Sequence, residues 1–271
     1  MSATAFVPGH ATGFFSPVHD DDPTKSGARG AGITLSDGIS VTVEPGDGVF
    51  FDGDKVEIEA VDRVLGALRV DARVTAETEL PIGCGFGVSG GIALGTALAA
   101  NEAFDRGLSV NELVTIAHGA DVQAGTGLGD AVAQARGGVP IRLEPGGPNE
   151  GHLDGISAMG SVEYVAFGPV RTATVLAEET AHLTDVGRAC LSMVVAEPTL
   201  PTLMRASRRF AREAGMLTPS AREAIEAVSD AGGSAAPVSI GNAVVAIDGG
   251  LTDAGYDANR CTISRAGAHL R

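Results

Sequence analysis

Pro81-Ile-Gly-Cys-Gly-Phe-Gly-Val-Ser-Gly-Gly-Ile-Ala93 is the stretch on which the rest of the chain turns. Five glycines and a serine fall in the nine positions from Gly83 to Gly91. Val70, Ala72, Val74 and Ala76 alternate before it, and an Ala-rich apolar segment, 89–106, follows. That is the order strand, loop, buried helix. Backbone this rich in glycine lets a ligand approach closely and offers N–H groups to an anion. The helix behind it adds free N–H groups and the positive end of its dipole. The stretch predicts a phosphate cradle.

Three glycine patterns compete for such a cradle. A Walker A loop ends in Gly-Lys-Ser/Thr, and neither Lys25 nor Lys55 stands in that setting. The dinucleotide fingerprint matches literally at Gly85-x-Gly87-x-x-Gly90. It should, however, lead into a second parallel strand carrying an acid about 20 positions on. Here another helix follows, and Glu102 and Asp105 still belong to the first one. The third pattern, Pro-x-Gly-x-Gly-x-Gly-x-Ser-Gly-Gly, remains.

Composition narrows the field further. With 271 residues, 44% hydrophobic and 20% charged, the chain can bury a large core. No apolar run approaches the roughly 20 residues that span a bilayer, and Met1–Pro8 has no basic region followed by an apolar core. A cytoplasmic protein without membrane attachment is expected. The net charge is −15, and Lys25 and Lys55 are the only lysines among 19 basic residues. Such a surface fits a high-salt cytoplasm, where carboxylate repulsion is screened, and leaves no basic field for nucleic acid. Cys84, Cys190 and Cys261 are odd in number and far apart, so neither zinc nor a disulfide framework is indicated. Cys84 reads as a small buried filler.

Along the chain, 4–7 reads as a short strand running into 8–17, whose Pro and Gly residues argue against regular structure. Asp20-Asp-Asp22 reads as a solvated loop, and 25–32 as a second small-residue loop. Strands are expected near 39–44 and 56–59, a helix at 60–68 and a strand at 70–79. Ser109 should cap the helix after Gly107, with Glu112 closing a capping box, and His118 and Asp121 share a face of that helix. The loop Ala124–Gly129 delivers Asp130 to the head of a short helix, a strand follows at 139–143, and Pro145–Pro148 reads as a linker. Beyond 156 the pattern gives a strand at 162–176 and helices near 179–191, 199–215 and 219–230. Strands follow near 236–247 and 260–264. The class is α+β in two lobes, 1–150 and 151–271. Arg205, Arg208, Arg209 and Arg212 fall on one helix face; their partner is either a set of internal carboxylates or the second copy of a homodimer.

The third glycine pattern resembles the central motif of the GHMP small-molecule kinases. Pro8-Gly9-His10 is similar to that family's N-terminal Pro-Gly motif, and Gly129-Asp130-Ala131-Val132 to its Gly-x-Asp-Asn segment, with Ala131 in place of Asn. A second-lobe glycine loop has loose counterparts in Gly232–Pro237 and Ile240-Gly241-Asn242. Three longer strings most resemble the family's archaeal pantoate kinase branch. They are Pro8-Gly-His-Ala-Thr-Gly-Phe-Phe-Ser-Pro17, Lys25-Ser-Gly-Ala-Arg-Gly-Ala-Gly32 and Ala124-Gly-Thr-Gly-Leu-Gly-Asp-Ala-Val-Ala-Gln134.

The resemblance implies a ribosomal-protein-S5-domain-2-like N-terminal lobe and a ferredoxin-like C-terminal lobe. It also implies ATP and Mg²⁺ as cofactors and a small alcohol, pantoate, as substrate in coenzyme A synthesis. Another alcohol of the mevalonate or homoserine kind, or a non-catalytic nucleotide-binding regulator, is the alternative. Gly83, Gly85, Gly87, Ser89, Gly90 and Gly91 would hold the ATP phosphates. Ser89 and Asp121 would serve Mg²⁺, with Asp121 one methylene shorter than the family's usual Glu, a gap that a bridging water would fill. Asp130 would be the base or hydroxyl-orienting residue. Ser26, His118 and Arg142 would bind the substrate, Arg142 through its carboxylate; Arg29 and Thr12 are weaker candidates from the same loops.

Overall fold

The computed structural model describes residues 1–169 and 181–271. Two long antiparallel strands, β1 (Ala3–Val18) and β2 (Gly27–Pro45), form its frame. This corrects the reading of 8–17 as irregular and of 25–32 as a loop, of which only Lys25 and Ser26 lie outside β2. β1 accommodates its prolines and glycines through register shifts at Pro8/Gly9 and Thr12/Phe14, since a bulge breaks the ladder where an N–H is missing. Gly32 serves close approach: a Cβ there would run into the His10 ring.

The sheet grows outward from this pair. A hairpin of β3 (Val49–Phe51) and β4 (Asp54–Val56) is followed by α1 (Glu59–Leu68) and β5 (Ala72–Thr78). The strand expected at 56–59 therefore lies earlier, because Ile58 already caps α1. β5 runs antiparallel to the later half of β2 and parallel to β3. The earlier half of β2 instead pairs with β6 (Val139–Glu144), Gly30 opposite Arg142, and β6 pairs with β7 (His152–Ile156). Pro145–Pro148 is the connection between β6 and β7, held by a bond from the Gly147 N–H to the Thr24 carbonyl at 2.8 Å.

α2 (Val88–Ala103) buries Ile92, Leu94, Ala97 and Ala99 and is apolar almost all round, as a core helix must be. α3 (Val110–Gln123) opens with the expected Ser109–Glu112 capping box, and α4 (Asp130–Arg136) is short. α2 and α4 pack against this sheet, and α3 packs on α2.

The second sheet, in the order β11-β8-β10-β9, is antiparallel throughout. It comprises β8 (Ser161–Ala166), β9 (Ser234–Pro237), β10 (Ala243–Ile247) and β11 (Asn259–Thr262). The span 236–247 is thus two strands, separated by a turn at Ile240 whose φ of 61° no β-branched residue favours. The expected strand beyond 169 and the helix start at 179–180 lie outside the described residues. Helices α5 (Ala181–Ala196), α6 (Leu200–Glu213), α7 (Pro219–Asp230) and the short α8 (Gly250–Asp253) complete this half. Thr199 and Thr218 cap α6 and α7. The chain then returns as β12 (His269–Leu270), which pairs with β1.

The arginine stripe on α6 pairs internally: Arg205 with Glu197 at 2.9 Å, Arg209 with Glu213 at 3.0 Å, and Arg208 with the Ala235 carbonyl at 2.7 Å. Among the described residues no helix is long and apolar enough to cross a membrane.

Candidate active site

The glycine stretch ends in an uncapped helix. Gly87 is the N-cap of α2 at φ 67°, in the left-handed region that suits glycine, and no side chain caps the helix. The first N–H groups of α2 therefore lack intrahelical partners, and Val88, Ser89 and Gly90 line a cavity of about 440 Å³. Gly83, Gly85 and Gly87 lie on its wall as expected; Gly91 does not, because it packs against Ile39 and Gln134. Apolar residues Phe51, Val56, Ile58, Ile82, Val88 and Ile92 also line it.

Ser89 is free to act because it does not cap the helix. Its hydroxyl reaches Asp121 Oδ1 at 3.2 Å and Thr126 Oγ1 at 3.0 Å, while Thr126 donates to the same Oδ1 at 2.6 Å. Asp121 itself is buried and does not line the cavity. Its Oδ2 is closed in by Gly127, where any Cβ would collide with it. Burial pushes the Asp121 carboxyl up to about 6, helped by the nearby Asp130 charge and opposed by the Thr126 and Ser89 hydroxyls. Thr126, to which sequence reading gave no role, thus stands between Asp121 and the cavity. Its place in the distinctive string 124–134 was the available signal.

Asp130 packs against the glycine loop: a Cβ on Gly90 would lie 3.2 Å from Asp130 Cβ, and one on Gly87 3.3 Å from it. It is the first residue of α4, as expected, and Gly129 holds the cap position. The carboxylate turns to β1. Asp130 Oδ1 meets His10 Nδ1 at 2.7 Å and receives the Thr12 hydroxyl at 3.4 Å. Burial raises the Asp130 carboxyl, but the hydrogen bond from His10, the Arg142 charge and the Thr12 hydroxyl together bring it below the ordinary carboxylate value. His10 was read only as part of a motif, so its contact with Asp130 is new.

The three expected substrate ligands lie behind this wall. Arg142, on β6, is buried beneath the Leu128–Gly129 turn; its Nη1 lies 3.4 Å from the Leu128 carbonyl, and no carboxylate is in ion-pair range among the described residues. Burial lowers its affinity for its proton, and Asp130 counters that. His118 Nε2 contacts the Ser26 carbonyl at 2.8 Å, while its Nδ1 is buried without a partner. Burial pushes the His118 imidazole down, against the Ser26 bond. Ser26 uses its hydroxyl to close the 20–26 loop on the Asp20 backbone, at 2.9 Å in both directions. None of the three lines the cavity. Arg29 is engaged with Glu144 at 2.6 Å, whereas Thr12 does line the cavity. Cys84 is buried, and burial raises its thiol, as a filler requires.

The second lobe reaches the same place through one of the two expected glycine loops. Ser239 N–H donates to the Thr12 carbonyl at 2.7 Å, its hydroxyl donates to the Gly13 carbonyl at 2.8 Å, and Gly241 sits against Cys84 and Gly85. Gly232–Pro237 instead forms a turn and β9. Tyr164 of β8 packs against Phe86 with the rings tilted and their centres 5.0 Å apart, and donates to Asp37 Oδ2 at 2.8 Å.

The chain is similar to known proteins over most of its length. Residues 56–138 match the GHMP kinases N terminal domain. A pantoate kinase of Thermococcus kodakarensis is 36% identical over 80% of this chain and 77% of its own length. One from Methanocaldococcus jannaschii is 33% identical over 78% and 80%. A solved phosphotransferase related to the CoA biosynthesis pathway superposes with a TM-score of 0.88 at 27% identity, covering 100% of this chain and 99% of its own. With relatives at 36% and 33% identity that cover 80% and 78% of it, the chain belongs to the pantoate kinases of the GHMP kinase family.

Proposed function

We propose that this chain transfers the γ-phosphoryl group of ATP to the primary hydroxyl of (R)-pantoate, giving (R)-4-phosphopantoate for coenzyme A synthesis. The observation that carries the reading is Asp130 seated against the Gly87–Gly90 turn, at the open N-terminus of α2. A phosphate held by those N–H groups has its acceptor hydroxyl beside a carboxylate.

The donor set fits Mg²⁺. Ser89, Thr126 and Asp121 offer only hard oxygen atoms, and this ion is commonly held by one or two carboxylates together with substrate phosphates. When bound, Mg²⁺ would neutralise phosphate charge. Because Asp121 lies behind the two hydroxyls, we assign it to orienting them or a bound water, so that Ser89 and Thr126 would hold the ion. Asp130, held below the usual carboxylate range, is ionised at neutral pH. It orients the hydroxyl and takes its proton as oxygen bonds to the γ-phosphorus and the bond to ADP breaks. Arg142 is a buried guanidinium without a carboxylate partner among the described residues, a strong motive for binding a substrate carboxylate. The apolar residues Phe51, Val56 and Ile58 suit the nucleotide base. The acidic, lysine-poor composition supports work in a salt-rich cytoplasm.

The test is ADP release with Mg-ATP in high KCl across pantoate, mevalonate, homoserine and shikimate. Turnover with pantoate is expected. Turnover only with another alcohol would reassign the substrate, and nucleotide binding without turnover would make the chain a regulator.

A further inference from the structure

The sequence reading gave His10 no role, yet it is fully buried and lies 2.7 Å from Asp130, 120 positions away. Its two ring nitrogens have opposite surroundings. Nδ1 faces Asp130 Oδ1 and lies 3.3 Å from the Thr12 hydroxyl. Nε2 has no hydrogen-bond partner, and Gly32 is packed so close that a Cβ there would strike it. A buried N–H without an acceptor is costly, whereas a bare ring nitrogen leaves only a lone pair unmatched. The ring hydrogen therefore belongs on Nδ1, where it points at Asp130.

The consequence for Asp130 is an asymmetric carboxylate. Oδ1 accepts from both His10 Nδ1–H and the Thr12 hydroxyl, while Oδ2 has no partner among the described residues. Asp130 lines the cavity, so Oδ2 is the acceptor left for a substrate. The backbone holding His10 is itself fixed from two directions. His10 N–H donates to the Phe86 carbonyl of the glycine loop at 3.0 Å, and Ser239 N–H donates to the Thr12 carbonyl at 2.7 Å. One four-residue piece of β1 thereby ties together the phosphate cradle, the second lobe and Asp130.

We propose that His10 is a positioning residue for phosphoryl transfer, gripping Asp130 Oδ1 through Nδ1–H so that Oδ2 alone meets the acceptor hydroxyl. The inference rests on the reading of Asp130 as the residue that faces that hydroxyl. Its closed Nε2 also means that His10 cannot pass a proton onward; it sets geometry and does not relay.

Three variants and one spectrum test this. His10→Ala should lower kcat by on the order of 10²-fold, the effect of a small misplacement of a reacting group, with KM for ATP nearly unchanged. His10→Asn can place an amide N–H where Nδ1–H was and should restore most of the lost kcat. Asp130→Asn, assayed beside them, should be nearly inactive with nucleotide still bound. A His10→Ala enzyme with normal kcat while Asp130→Asn is dead would overturn the role of His10 alone. Loss in His10→Ala without rescue by Asn would reduce His10 to a space-filling residue. Normal turnover in Asp130→Asn would remove the underlying reading as well. If the variants do not fold, nitrogen NMR of the intact protein decides: a hydrogen on Nδ1 and a bare Nε2 is expected, and a hydrogen on Nε2 with a bare Nδ1 would overturn the proposal.

Discussion

Thr126 donates its hydroxyl hydrogen to Asp121 Oδ1 at 2.6 Å. The pair lies five residues apart across the end of α3, and the backbone repeats the link, Thr126 N–H to the Asp121 carbonyl at 3.1 Å. A carboxylate that does not line the cavity is thereby linked to it through a hydroxyl that does.

Replacing Thr126 with Val keeps the shape and removes that hydroxyl. A hydrogen bond to a charged group contributes roughly 1.5–3 kcal/mol, so the Mg²⁺ concentration for half-maximal rate should rise about 10-fold or more. Titrating Mg²⁺ or Mn²⁺ binding directly, by calorimetry with ATP present, separates this from a loss of turnover. Unchanged metal affinity would place Thr126 outside the metal site.

Asp121 should make the protein without bound metal less stable as pH rises. Its folded value of about 6 lies above the ordinary aspartate value of 3.8, so the folded state holds the proton more tightly than the unfolded chain does. The stabilisation is complete below the unfolded value and is lost as pH climbs through about 6, worth up to ~3 kcal/mol. Asp121→Asn has no such loss. Melting curves without Mg²⁺ should show the variant gaining on the wild type between pH 4 and pH 7, while its turnover collapses. Parallel curves would show that Asp121 is not desolvated.

Arg142→Lys tests the carboxylate anchor. A point charge replaces a planar fork that can bind a carboxylate through two parallel bonds. KM for pantoate should rise by at least ~10-fold, equivalent to about 1.4 kcal/mol, with KM for ATP unaffected. An equal effect on both substrates would indicate damage to β6 instead.

Gly241→Ala probes the contact between lobes. The added Cβ would strike the Cys84 carbonyl and lie 2.8 Å from Gly85 N, both backbone atoms with little freedom to move. Displacement of the glycine loop should cost ~1–3 kcal/mol of stability, in the range for overpacking, and weaken ATP more than pantoate. Equilibrium unfolding and nucleotide titration on the same preparation would read both effects.

What the sequence determined by itself was local in range. The Ser109–Glu112 capping box, the apolar α2 and the alternation of β5 each depend on residues within a few positions, and each is found where it was read. The glycine cradle was legible for the same reason, and the spaced strings around His10, Lys25 and Asp130 indicated the family. Tertiary structure alone decided that 8–17 and 27–32 are strand. Their Pro and Gly content argues against order until the register shifts and the long partner strand satisfy the backbone. It alone turned Asp130, at the head of α4, toward His10, set Thr126 between Asp121 and the cavity, and folded the Ser26 hydroxyl onto Asp20. It also chose Ile240-Gly241 over Gly232–Pro237 as the loop against the cradle. His10 and Asp130 are 120 positions apart, and no periodicity or propensity spans that distance. Only the crossing of β1 beneath α4 brings the two together.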